Sequence, residues 1–348
     1  MAIIDKPSDF FNTVLYTGNS NGSNSQTISV GMAPNWTWIK PRGATGDHRL
    51  FDTVRGVYKD LVANGTAGQA NSTTSLTAFN SDGFVVGSEN GVNSNNDTFV
   101  AWNWKAGTSV SGTTTGSGTG TSYTGSVNTT SGFSIIQYTG NGTSGHTIPH
   151  RLGKAPKIVQ VKTISGADAW SMLNTNYDLN KYLKLNDSGG LTSDPLFNNT
   201  APNSEVFSLD SDGQVNGNNV VCVAYCFAEI KGYSKYGQYS GNGSDNGTFV
   251  YTGFKPAFVM VKITNAGNDW IIMDNKRTTF NPMGEELKPN TSGAASTNTR
   301  WDQLSNGFKF RNTGDAVNGS GKNYIYMAFA ENPIVTSTDD GSIPATAR

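Results

Sequence analysis

Three near copies of one short segment constrain this chain more than any other feature: YTGNS at Tyr16, YTGNG at Tyr138 and YSGNG at Tyr239. One such match would carry little, because Gly and Asn recur in turns everywhere. The residues downstream of each copy carry more: GMAPNWTWIK, then LGKAPKIVQVK, then GFKPAFVMVK. The prolines fall at Pro34, Pro156 and Pro256 and the lysines at Lys40, Lys162 and Lys262, so successive copies lie about 122 and about 100 residues apart. His48, Trp170 and Trp270 share one position, and Asp52, Asn174 and Asp274 come four residues later. Each copy closes on an aromatic strand, FVAWNWKA, VCVAYCFAE or YIYMAFAE, in which Trp104, Phe227 and Phe329 correspond. The chain reads as three versions of one unit.

The length of 348 residues accommodates three units of ordinary domain size, each able to bury a modest core of its own. The register predicts an N-terminal arm over 1–9, units over 10–105, 132–232 and 233–333, and a C-terminal arm over 334–348. Between the first two units, 106–131 is almost wholly Gly, Ser and Thr, which predicts a linker that is flexible or pinned only by its neighbours. The second joint, EIKGYSKYG, is short and aromatic and predicts that units two and three pack as a pair. Runs such as FSIIQY and KIVQVK, bounded by Gly, Asn and Pro, are strand signals. No window of helix length carries an unbroken apolar stripe, and the best helical candidate, DKPSDFFNTV, is short. The expected fold is all-β: three tandem homologous antiparallel β-sandwich-like repeats. YTGNG is then a strand end that places Tyr on a pleat face, with Gly and Asn next for a tight turn. A sugar or partner site at each of these loops is the alternative.

The chemistry-bearing residues form no recognisable machinery. His146 and His150 bracket a Pro in HTIPH and cannot make the helical zinc pair, and His48 sits in a polar loop. Cys222 and Cys226 share one strand face, about 13 Å apart at about 3.3 Å per residue, too far for a disulfide, so buried free thiols are expected. DSDGQVNGN at Asp210 begins like a calcium loop but lacks the closing Glu and flanking helices; a hairpin turn is expected. No nucleophilic triad, glycosidase carboxylate pair or phosphate loop can be assembled from spacing. No catalytic residue, metal or cofactor is expected. Trp36, Trp38, Trp102 and Trp104 alternate along strands, with core packing as the first expectation. The candidate glycan or partner contacts are Trp36, Trp38, Trp170, Trp270, Tyr138 and Tyr239.

With a formal net charge of −1 and no basic run, nucleic acid is not an expected partner. Nor is a membrane, since no apolar run reaches membrane length, and MAIIDKPSDF lacks the basic and apolar regions of a signal peptide. Yet charged residues are only 15%, against 41 Gly and dense Ser, Thr and Asn, a composition suited to the outside of a cell. A virus particle assembled in the cytoplasm and released by lysis reconciles the two.

The segments IIDKPSDFFNTVLYTGN, WIKPR, LFDTVRG, NSDGF, FVAWNWKAG, GFSIIQYTGNG, VAYCFAEIKGYSKYGQYSGNG and IYMAFAENP resemble repeated-domain, tail fibre-like virion proteins of tailed marine bacteriophages and cyanophages. The resemblance covers nearly all of 1–333. It implies a non-enzymatic virion structural protein exposed on the particle, a tail fibre or tail-associated appendage touching the host surface. Capsid decoration is the alternative, and a glycan-cleaving depolymerase using Asp52, Asp274 or Glu331 a more distant one. The implied partners are other virion proteins, a host surface glycan, and further copies of the chain in a homo-oligomer, with a trimer by analogy.

Overall fold

The computed structural model describes residues 4–334, and the expected C-terminal arm beyond residue 334 lies outside them. Six sheets built from antiparallel ladders are arranged as three two-sheet sandwiches. In the first lobe the larger sheet runs Phe11–Thr17, Thr98–Trp104, Trp36–Pro41, Arg49–Asp52, Lys59–Val62, Ala70–Asn71, and the smaller Gln26–Ser29, Gly83–Val86, Leu76–Asn80. The second lobe sets an eight-stranded sheet centred on Phe133–Thr139, Val221–Phe227 and Ile158–Thr163 against Thr115–Gly116, His146–Pro149 and Val206–Leu209. The third sets Ser234–Ser240, Asn323–Pro333, Phe254–Ile263 and Ile271–Asp274 against Phe249–Tyr251, Gly307–Phe310, Ser296–Leu304 and Met283–Glu286.

Side-chain alternation along the larger sheets decides the packing. One face of each meets its own smaller sheet: Ile39 and Phe99 against Ile28 and Phe84, Val159 and Ala224 against Ile148 and Phe207, Val259 and Tyr324 against Val250 and Phe308. The other face is equally apolar and enters one core shared by all three lobes, with Trp36, Trp102 and Trp104 from the first, Phe133, Tyr225 and Phe227 from the second, and Phe258, Met327 and Phe329 from the third. Ring centroids lie 4.6 Å apart for Trp36 and Tyr225, 5.0 Å for Phe11 and Phe329, and 5.9 Å for Trp104 and Phe258. Each such ring buries on the order of 150–250 Å². The lobes therefore do not stand as independent sandwiches, nor do the second and third pair off, because the first packs against both.

Main-chain hydrogen bonds close the arrangement. Gln69 N–H donates to the Ile164 carbonyl at 2.9 Å, Leu191 to Thr264 at 2.8 Å, and Ala295 to Arg42 at 2.8 Å. These are matching positions, joining the first lobe to the second, the second to the third, and the third back to the first.

The repeated tyrosine segment is a clip within each lobe. The hydroxyls of Tyr16, Tyr138 and Tyr239 donate to the carbonyls of Val92, Val215 and Val317 at 2.7, 2.6 and 2.6 Å. Three residues on, the N–H groups of Asn19, Asn141 and Asn242 donate to the Oδ1 atoms of buried Asn93, Asn216 and Asn318. The intervening glycine is obligatory on space alone: a Cβ at Gly18, Gly140 or Gly241 would come within 2.1, 2.5 or 2.3 Å of a carbonyl oxygen. DSDGQVNGN serves this clip. Instead of a hairpin turn it forms one helical turn, Gly213–Asn216, capped by Asp212 Oδ1 accepting from Gln214 N–H at 2.8 Å.

Two further segments are held against the lobes. The N-terminal arm is anchored, with Ile4 buried in the shared core and Pro7–Asp9 forming a 3₁₀ turn. The Gly/Ser/Thr-rich stretch 106–131 is no flexible linker: Thr108–Thr113 and Ser122–Asn128 pair with each other, and the latter pairs with Phe133–Thr139. Tyr123 and Val127 enter the second lobe's core, with Gly125 and Ser126 buried between them and Thr124 facing water. Amide hydrogen exchange tests this. Residues of Ser122–Asn128 paired with Phe133–Thr139 should exchange at least about a hundredfold more slowly than an unstructured chain, whereas a linker would show no protection.

Candidate functional site

The strongest convergence of polar chemistry lies at the seams between lobes, around the position shared by Asp52, Asn174 and Asp274. Asp52 is fully buried. Its Oδ2 accepts from Arg55 Nε at 2.5 Å and, across the seam, from the second lobe's Tyr225 hydroxyl at 2.8 Å. Its Oδ1 accepts from the N–H groups of Val54 and Arg55. Asp274 repeats this with Arg277 Nε at 2.6 Å and the first lobe's Trp102 Nε1 at 3.0 Å. At the third seam all the charged parts change together. Met327 stands where Trp102 and Tyr225 stand, Asn174 replaces the aspartate, and Tyr177 replaces the arginine, its hydroxyl donating to the Tyr324 carbonyl at 3.3 Å. An uncompensated charge in this setting would be costly, so the acid and the base are lost as a unit.

The second recurring group is His48, Trp170 and Trp270. Trp170 Nε1 donates to the Val62 carbonyl at 2.9 Å and Trp270 Nε1 to the Lys184 carbonyl at 3.0 Å, each crossing a seam. Where the third lobe meets the first, His48 accepts from Trp38 Nε1 at 2.9 Å through Nδ1, which leaves the proton on Nε2, facing the Lys288 carbonyl short of full hydrogen-bond geometry. The recurring lysines behave alike. Lys162 Nζ donates to the Thr66 carbonyl at 3.1 Å and Lys262 Nζ to the Ser188 carbonyl at 2.7 Å, again across seams, while Lys40 Nζ donates to the Pro41 carbonyl. Burial pushes all three lysines down to about 8.

The candidate contact residues Trp36, Trp38, Trp170, Trp270, Tyr138 and Tyr239 are all buried, in the shared core or inside a lobe. They hold the chain to itself and cannot stack on an external sugar. The depolymerase candidates are equally committed: Asp52 and Asp274 are sealed by their arginines, and Glu331 pairs with Lys255 at 3.2 Å. Cys222 and Cys226 are buried free thiols, raised by burial to about 11 and about 12. Among the described residues no group of three or more His, Cys, Asp or Glu side chains is placed to hold a metal, and no helix is long and apolar enough to cross a membrane. Two open clefts of about 490 and 510 Å³ flank the hairpin over 108–128. Asn35, Thr53, Ser109 and Thr124 are among those lining one, Lys105, Asn128 and Arg151 the other, and neither lining contains a carboxylate, imidazole or thiol.

The Asp-x-x-Arg pairs and the Val-Asn partners of the tyrosine clip escaped the sequence reading. Both had a signal: DTVR and DNKR recur at one position, as do GVNS, QVNG and AVNG.

A family model described as a domain of unknown function, DUF7483, matches residues 6–333. The chain belongs to this family. The match takes in all three lobes and the hairpin over 108–128, so the DUF7483 unit corresponds to the closed three-lobed body rather than to one sandwich. No curated protein and no solved structure matches the chain.

The coupling of charges at the seams of this DUF7483 protein can be measured. Asp274→Ala strands a buried guanidinium and should cost about 3–5 kcal/mol in urea unfolding. The pair found at the third seam, Asp274→Asn with Arg277→Tyr, should cost less than the sum of its two single substitutions; strict additivity would mean the charges are not coupled.

The histidines make stability depend on pH. His146 is held between Asn216 Oδ1 at 2.8 Å and Thr114 Oγ1 at 2.7 Å, and His150 between the Asn203 carbonyl and Leu152 N–H, so each imidazole, like His48, uses one nitrogen as acceptor. Burial lowers all three, His150 to about 4. The unfolded chain therefore takes up protons first. Their stabilisation is complete above about pH 6.5 and is lost as pH falls toward 4, at no more than about 1.4 kcal/mol per pH unit per imidazole. The urea midpoint should drop between pH 7 and pH 5, less steeply in His150→Gln, and a flat profile would refute the assignment.

Proposed function

We propose that this protein is a non-enzymatic structural component of a bacteriophage virion, exposed on the particle as a tail fibre or tail-associated appendage that meets the host surface. The observation that carries this reading is the inward commitment of the recurring polar and aromatic chemistry. Recurring aspartates, lysines and indoles bind across the seams, and the arginines hold the aspartates in place. A body of this kind is suited to mechanical and binding roles. Its exterior is dominated by Ser, Thr, Asn and Gly, as befits a surface that must stay soluble outside the cell at low net charge. The resemblance to repeated-domain virion proteins supplies the setting.

We read the three lobes as copies of one unit that closes within a single chain, so the homotrimer expected by analogy is not needed to complete the core. Other virion proteins remain the partners of this reading, with no nucleic acid or membrane contact. Immunogold labelling of intact virions with an antibody to the second lobe tests it. Label at the tail is the expected outcome, label over the head would make capsid decoration the correct assignment, and particles without label would overturn both.

A further inference from the structure

Two aromatic side chains stand in water on a molecule that otherwise turns most of its rings inward. Phe249 is 43% exposed and Tyr251 60% exposed, both on Phe249–Tyr251, the edge strand of the third lobe's smaller sheet. Being two residues apart on a strand, they share its outer face, while Val250 between them packs inward with Phe308.

The other lobes show that the fold does not call for these rings. Ile28, Ile148 and Val250 pair with Phe84, Phe207 and Phe308, which fixes the correspondence of the three strands. Where the third lobe has Phe249 and Tyr251, the first has Thr27 and Ser29 and the second Thr147 and Pro149. The glycine opposite Tyr251, Gly307, matches Gly83, which is paired with Ser29 in place of an aromatic residue.

Each ring also rests against a glycine. Phe249 Cε2 is 3.2 Å from where a Cβ of Gly307 would sit. Tyr251 places Oη, Cε1 and Cζ at 3.7, 3.8 and 3.9 Å from the Cβ position of Gly253, nearly equidistant, so this ring lies across that glycine. Polar groups border them. Lys309 is directly across the ladder from Phe249 and Asp302 is across from Lys309, with Arg311 Nε donating to Asp302 Oδ2 at 2.6 Å.

Together the two side chains expose on the order of 200 Å². That is far below the roughly 800 Å² per partner of a stable protein interface. It is the scale of one or two sugar rings, whose apolar C–H faces pack on aromatic rings while their hydroxyls reach bordering polar groups. We propose that Phe249 and Tyr251 form a stacking platform for a neutral pyranose polysaccharide. The proposal deepens the virion-surface reading, on which it rests for its biological setting, by naming a ligand class and a site.

Affinity electrophoresis of the whole chain through gels containing dextran, galactomannan or laminarin tests it. At least one polymer should retard the chain, and Phe249→Thr with Tyr251→Ser, the residues of the first lobe, should weaken retardation by at least about tenfold. This variant should keep its thermal midpoint, because the first lobe folds with the same residues. Phe280→Ala removes another exposed ring, 78% exposed and preceding the strand at the opposite edge of the same sheet, and should change nothing. No retardation by any of the three polymers, or equal retardation of the double variant, would overturn the platform. So would a chain that runs as a dimer in light scattering and becomes monomeric in the double variant, since the rings would then join two copies. Virion label without retardation would sink the platform alone, and retardation without virion label would sink only the virion reading.

Discussion

The larger sheet of each lobe is apolar on both faces, and the rest of the structure depends on that fact. A sandwich consumes one face of a sheet, and the other must also leave water. Three such sheets turn their remaining faces to one another, and Trp36, Trp104, Phe227, Phe258 and Phe329 fill the space between them. The shared core is therefore no addition to three finished domains. It completes them, and a lobe alone would expose an aromatic patch of the kind that drives association.

Closing three sheets around one core buries polar groups at the seams, and each must find a partner there. The chain answers with a small set of devices placed once per lobe: an indole or imidazole aimed at the preceding lobe's backbone, a lysine capping carbonyls, an aspartate fixed by its own arginine. The departures are informative because they are concerted. Loss of the donor at Met327 accompanies loss of the carboxylate at Asn174 and of the cation at Tyr177, as the cost of an unpaired buried charge requires. With the interior so committed, variation between lobes is freest on the outer sheets. The exchange of Thr and Ser for Phe249 and Tyr251 sits there.

Much of this was legible in the sequence. Short β-branched runs between Gly and Asn announced an all-β chain, and the recurring tyrosine segment marked positions that the structure uses alike, each hydroxyl donating to a valine carbonyl. The thiols of Cys222 and Cys226 were placed correctly as buried and free, because strand geometry alone separates them. Composition left the stretch 106–131 open between a flexible joint and one pinned by its neighbours, and strand pairing decides for the second. Gly, Ser and Thr lower the intrinsic tendency to order, but Tyr123 and Val127 sit where a neighbouring strand edge and an apolar core accept them.

Local pattern alone determined the class of structure, since strand periodicity and turn chemistry are properties of neighbouring residues. Tertiary structure alone decided what the recurring aromatic and charged residues do. Trp170 could have faced a sugar as readily as the Val62 carbonyl, and Asp52 a substrate as readily as Tyr225. Only the meeting of lobes more than a hundred residues apart in sequence gave those side chains their partners, because burial and hydrogen bonding depend on which surfaces come together in space.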